Sequence, residues 1–292
     1  MKMTGPAAIM SKVIEETLSP KEDEEEKIGY IRPSSLAKGC VLYVAMELLK
    51  MPKEEIDTRV KRILEAGTSG HLRIARYFSK ITVAKELPFI DEEYRIKGQC
   101  DALIYISPDL DVEQSGFYVV EIKTTSSAEF DRIKEAGQPK EEHVLQCLIY
   151  IWGLTRYYKS IPIRGGIIYY ENRDTLDYHL FNVGYDESRL LPLLTQVKAM
   201  LPDLIIEGKL PMDAHLPLDH WGHEYCPYLS ICEVGQEAMR LKKEKKPEIP
   251  DRVLAEIIGM RIVKKQRAKE EKAKSRKTPR TLEELSSEFN WE

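Results

Sequence analysis

The stretch Arg95-Ile-Lys-Gly-Gln-Cys-Asp101-Ala-Leu-Ile-Tyr-Ile106, with Phe117-Tyr-Val-Val-Glu121-Ile-Lys123 after it, decides how this chain is read. Both runs are rich in β-branched and aromatic residues. The segment between them carries Ser107-Pro108-Asp109 and Ser115-Gly116, which is turn chemistry, so the pair is predicted to be a hairpin. Side chains alternate faces along a strand, so Glu121 and Lys123 share one face while Val120 and Ile122 point into a core. Asp101, three residues after Gly98 on the partner strand, can face the same side as Glu121. Two readings stay open on these residues alone. One is a solvated strand face with an ion pair; the other is a pair of carboxylates that suits a hard divalent cation, with a lysine to steer a water.

The rest of the chain supplies ample material around that hairpin. Its 292 residues allow one large domain or two small ones, and 42% hydrophobic with 32% charged residues describes a globular, highly charged protein. A net charge of −4 gives no sign of a nucleic-acid binder, so a basic surface has to be local. Five cysteines suit a reducing compartment better than a disulfide scaffold. The longest largely apolar run, Val144 to Leu154, is too short to cross a bilayer, and residues 1–27 resemble neither a signal nor a transit peptide. The expectation is a soluble cytoplasmic protein with no membrane partner.

Around the hairpin, residues 1–29 read as a mobile lead-in or a helix fragment. A helix capped by Ser34-Ser35 is expected to run to about Lys50, carrying Cys40. A second is expected from about Asp57 to Lys80, interrupted or bent near Ala66-Gly-Thr-Ser-Gly70 just before His71. Ile81–Ile90 reads as a strand, Glu141–Tyr158 as a helix, and 163–170 with 176–183 as a second hairpin around Glu171–Asp174. Asp186–Gly208 is helical in pattern. Residues 30–235 therefore form the main domain. Residues 236–292 read as a charged, helical and partly disordered appendage, with ten Lys or Arg against two Glu over 261–280. That basic run reads as a solvated tail or, secondarily, as lysines that track a nucleic-acid backbone, and the acidic, aromatic end beyond it suits a protein partner.

On the helix after the hairpin, Gln146 and Tyr150 stand at i and i+4, one above the other. The ordered set is a Gly-flanked His71, Gly-x-x-Asp101, Glu121-x-Lys123, then Gln146-x-x-x-Tyr150. It resembles the PD-(D/E)XK nuclease superfamily, and within it the RecB-like exonucleases, over roughly residues 31–233. The resemblance implies a mixed α/β sheet flanked by helices, of the restriction-endonuclease-like type. It also implies that His71, Asp101 and Glu121, with the Ile122 carbonyl, hold catalytic magnesium or manganese. Lys123 would position or activate the attacking water, and Gln146 and Tyr150 would support the lysine and contact the DNA strand. The implied activity is a metal-dependent DNA exonuclease acting on single-stranded or frayed ends in recombination, repair or replication. Its rivals are a structure-specific endonuclease or CRISPR-type spacer-processing nuclease and, from another class, a non-catalytic DNA-binding or scaffold subunit.

Trp221-Gly-His223-Glu-Tyr-Cys226-Pro-Tyr-Leu-Ser-Ile-Cys232, with Cys40 far upstream, resembles the cluster-binding signature of the AddB helicase-nuclease subunit and the CRISPR-adaptation exonucleases. His223 stands where that signature has a cysteine. The implied centre is a four-iron, four-sulfur cluster, whereas three thiolates and one imidazole are an ordinary zinc set. Either would clamp the early helix to the end of the domain. Cys100 and Cys147 are assigned to the core as small buried hydrophobes.

Overall fold

The computed structural model describes residues 6–17 and 29–244. Met1–Leu241 form one compact unit and Lys242–Glu292 a second, of which only 242–244 are described. The basic run and the acidic end therefore lie outside the described residues, as does 18–28 of the lead-in. Residues 6–17 of that lead-in form a helix, α1 (Pro6–Thr17).

Five strands make one mixed sheet, in the order β1 (Thr82–Asp91), β2 (Ile96–Ile106), β3 (Gly116–Thr125), β4 (Ile163–Asn172) and β5 (Tyr178–Gly184). The three-stranded start and both hairpins form as the alternation predicts, all antiparallel. Strands β3 and β4 are parallel, so the chain must cross over between them. It does so through α5 (Ser127–Ala136) and α6 (Glu141–Tyr157). The α/β architecture expected from the sequence is thus the one observed.

Helices α2 (Pro33–Leu36) and α3 (Val41–Leu48) replace the single early helix that the Ser34-Ser35 cap predicted. Gly39, at φ +74°, takes a left-handed conformation that stops the first, and Cys40 caps the second through its sulfur. Helix α4 (Thr58–Ile74), capped by Asp57, runs without interruption through its glycines and ends six residues before the expected stop. Helices α7 (Leu191–Glu207) and α8 (Glu233–Glu244) complete the described chain, and α8 runs across residue 236, where the composition changes.

The sheet is covered on both faces. One carries the main core, with α3, α6 and α7 contributing Leu42, Leu148, Ile149, Ile151 and Leu204. The other carries a smaller core of Ala102, Ile104, Val120, Ile122 and Tyr169 under Ile74 and Ala75, at the end of α4. Helix α6 is rich in β-branched and aromatic residues, which are mediocre helix formers. What holds it is burial, at about 1.5–3 kcal/mol for each large side chain removed from water.

Candidate active site between α4, β3 and α6

Strands β2 and β3 stay paired only as far as Ala102↔Val120. One residue further on, Asp101 leaves the ladder and its carboxylate takes over the next main-chain donor, accepting from the Ile122 N–H at 2.6 Å. Its other oxygen lies 3.1 Å from His71 Nδ1. His71 reaches that point because α4 lies close over β3: a Cβ at Gly70 would stand 3.2 Å from the Thr124 methyl group.

Glu121 occupies the same opening. The solvated strand face is not what forms, since Glu121 is 2% exposed. Its Oε1 lies 2.6 Å from Lys123 Nζ, while its Oε2 is buried with no hydrogen-bond partner. Burial drives the Glu121 carboxyl above its ordinary range; Lys123 pulls it down, and the charge of Asp101 pushes it up again. Lys123 also donates to Gln146 Oε1 at 3.0 Å, and Gln146 Nε2 donates to the Tyr150 hydroxyl at 3.2 Å. The i, i+4 pair on α6 is therefore a buried brace behind the lysine. Tyr150 is 7% exposed and packs edge-on against Phe89. The whole arrangement sits toward the carboxyl ends of β3 and β4, the parallel pair, where open α/β sheets place their ligands.

Arg73 and Glu171 were not singled out from the sequence, where Glu171 reads as turn. The carboxylate of Glu171, 1% exposed at the end of β4, accepts from both terminal nitrogens of Arg73 on α4. The pair fixes α4 two residues beyond His71. Its partners lie 98 positions apart, and no local pattern announces such a contact. Cys100 and Cys147 are fully buried, and burial raises both thiols, Cys100 to about 12, so they behave as inert core residues.

Cys40 meets His223, Cys226 and Cys232 from far upstream in the sequence, the four lining one cavity of about 120 Å³ beside Tyr43 and Trp221. His223 is buried, and its Nε2 donates to the carbonyls of Pro217 at 3.0 Å and Leu216 at 3.3 Å. Burial raises the Cys40 and Cys226 thiols. Among the described residues, no three His, Cys, Asp or Glu side chains form a group that could hold a metal ion. In both places the candidate ligands bond to neighbouring protein groups instead: Asp101 to His71 and Ile122, Glu121 to Lys123, His223 to carbonyls, and the sulfurs of Cys40 and Cys232 to main-chain N–H groups.

No family model and no curated protein matches the chain. Among solved structures, SSO0001 aligns with 22% identity and a TM-score of 0.43, covering 77% of this chain and 94% of its own. The alkaline exonuclease LHK-Exo from Laribacter hongkongensis aligns with 18% identity and a TM-score of 0.44, covering 61% and 89%, and its complex with dAMP aligns equally. No helix among the described residues is long and apolar enough to cross a membrane.

Proposed function

We propose that this chain is a metal-dependent deoxyribonuclease, an exonuclease acting on single-stranded or frayed DNA ends. One observation carries the reading: Glu121 Oε2 is buried and unpartnered beside Asp101, His71 and Lys123. A buried carboxylate oxygen without a partner costs free energy unless a cation completes it. The donor set of two carboxylates, an imidazole and the Ile122 carbonyl suits magnesium or manganese. When bound, such an ion supplies a nucleophile at neutral pH and neutralises charge on the phosphate.

The chain's own residues do the rest. Lys123, whose ammonium stands between Glu121 and Gln146, would orient the attacking water and meet the phosphate. Gln146 limits where the lysine can go, and Tyr150 limits where Gln146 can go. The Arg73–Glu171 pair and the close approach at Gly70 keep His71 over Asp101.

We propose also that Cys40, His223, Cys226 and Cys232, which line one cavity, close on a second metal, iron–sulfur or zinc, that would clamp α3 to the end of the domain. Three thiols and an imidazole are the residue types of a zinc or iron–sulfur set, and His223 donating from Nε2 to carbonyls is the outer-shell arrangement that orients a metal-binding imidazole.

The test of the nuclease reading is digestion of end-labelled single- and double-stranded DNA and of closed circles, with magnesium or manganese, against Lys123→Ala. Loss of end label from linear DNA with circles intact, abolished by the variant or by chelator, is expected. Cut circles would make the enzyme an endonuclease. DNA binding without cleavage under every condition would make it a non-catalytic subunit.

A further inference from the structure

A second polar group on α6 lies close enough to Lys123 to feel its charge. His143 lies one turn before Gln146, with its ring 5.5 Å from that of Tyr170. Tyr170 is itself in register with Lys123 across the β3–β4 pair. The Tyr170 hydroxyl accepts from the Lys140 N–H at 3.2 Å and lies 2.6 Å from His143 Nδ1. Tyr170 is fully buried and its oxygen already accepts a main-chain proton, so its own hydrogen needs an acceptor; Nδ1 is the one in reach among the described residues, and with Nδ1 accepting, the ring hydrogen is on Nε2. The nearest carboxylate oxygen to Nε2, Glu142 Oε1, is 3.6 Å away and outside hydrogen-bond reach. The side chain keeps 18% of its surface exposed.

We propose that His143 Nε2–H is a fixed, uncharged hydrogen-bond donor to a phosphate of the bound strand, beside Lys123. The proposal rests on the nuclease reading above and deepens it. A polyanion needs donors at its flanking phosphates as well as at the one that reacts, and phosphate contacts set the register of the strand. A neutral donor held in one tautomer does this without adding a cation against Lys123. The ring stays neutral over the working range, since burial, with the charges of Lys123 and Lys140, holds it down to about 3. A histidine packed only to satisfy Tyr170 gives the same Nδ1 contact, so the test has to separate the two roles.

The experiment uses the full chain and a fluorescein-labelled oligothymidylate. Affinity is measured with calcium, kcat and KM with magnesium, and thermal stability alongside. His143→Ala is expected to raise Kd and KM about tenfold, as the loss of one hydrogen bond to a charged group does, with kcat changed far less. His143→Gln, which can place an amide N–H near the same point, is expected to recover most of that loss. Tyr170→Phe keeps the ring volume but lets both tautomers form, and is expected to fall between them. Unchanged Kd and KM in His143→Ala, whatever its melting temperature, would overturn the proposal, as would a Gln variant as impaired as the Ala one. Those outcomes leave wild-type cleavage intact. A wild-type protein that neither binds nor cuts DNA refutes the nuclease reading instead.

Discussion

The Ile122 N–H donates to the Asp101 carboxylate at 2.6 Å, at the point where β2 and β3 part. The bond gives Asp101 two tasks. It closes the end of a ladder whose next donor is otherwise buried, and it aims the second oxygen at His71.

The two tasks separate by substitution. Asp101→Asn keeps an acceptor for Ile122 and loses the charge; Asp101→Ala loses both. Neither variant should cleave DNA. In urea denaturation Asp101→Ala should be less stable than Asp101→Asn by about 1–3 kcal/mol, the cost of a buried unsatisfied N–H. Equal stabilities would mean that Asp101 does not hold the strand end.

At the proposed metal site, Glu121 would tie metal binding to pH. Its folded carboxyl is raised by burial above its ordinary value of 4.5. Its contribution to metal-free stability is therefore full below 4.5 and is lost as pH rises through the folded value. A cation replaces the proton, so the rise in melting temperature on adding magnesium should grow with pH over the same interval. Glu121→Gln should abolish the magnesium response at every pH. A shift independent of pH in the wild type would place the ion elsewhere.

How far this was legible in sequence depended on the range of each signal. Strand alternation in 95–106 and 117–123 placed the central hairpin and put Ile122 and Glu121 on opposite faces. The length and pattern of α6 set Gln146 over Tyr150. Helix breaks were harder, because a glycine is ambiguous: Gly39 stops a helix, whereas Gly67 and Gly70 sit inside one and allow close packing. Helix α5, with low hydrophobicity and only Phe130 and Ile133 buried, gave no periodic signal. Contacts such as Tyr170–His143 depend on which strands become neighbours, and sequence spacing does not report that.

The brace behind Lys123 can be tested without opening the core. Tyr150→Phe removes the hydroxyl that accepts from Gln146 and leaves the packing on Phe89. The amide can then turn away from the lysine. Turnover should fall roughly three- to tenfold, a plausible cost of slack in a positioned group. Tyr157→Phe, at a position 53% exposed, should change nothing. Equal turnover in both variants would return Gln146 and Tyr150 to the core.

Metal analysis tests the cysteine cavity. Anaerobically purified protein should contain iron and sulfide and be brown, and Cys226→Ala should bleach and destabilise it. A link from Cys40 to 226–232 closes a loop of about 190 residues, which restricts the unfolded chain strongly. Colourless protein with one equivalent of zinc would keep the clamp and change its metal. Protein with neither metal, unharmed by Cys226→Ala, would end the proposal.

The Arg73–Glu171 pair should matter through His71. Arg73→Ala strands a carboxylate that is 1% exposed, and breaking such a pair costs about 3 kcal/mol, at the lower end of the range because Arg73 itself is partly exposed. Adding Glu171→Gln removes the stranded charge, so the double variant should be more stable than Arg73→Ala alone. Such a reversal is the signature of direct coupling. Loosening the end of α4 also lets His71 drift from Asp101. The magnesium concentration for half-maximal cleavage should then rise several-fold in Arg73→Ala, with the rate at saturating magnesium nearly kept, because the groups on β3 and α6 are untouched. If the magnesium requirement stays at the wild-type level while stability falls, the pair holds the fold and leaves the position of His71 to the glycine contact with Thr124.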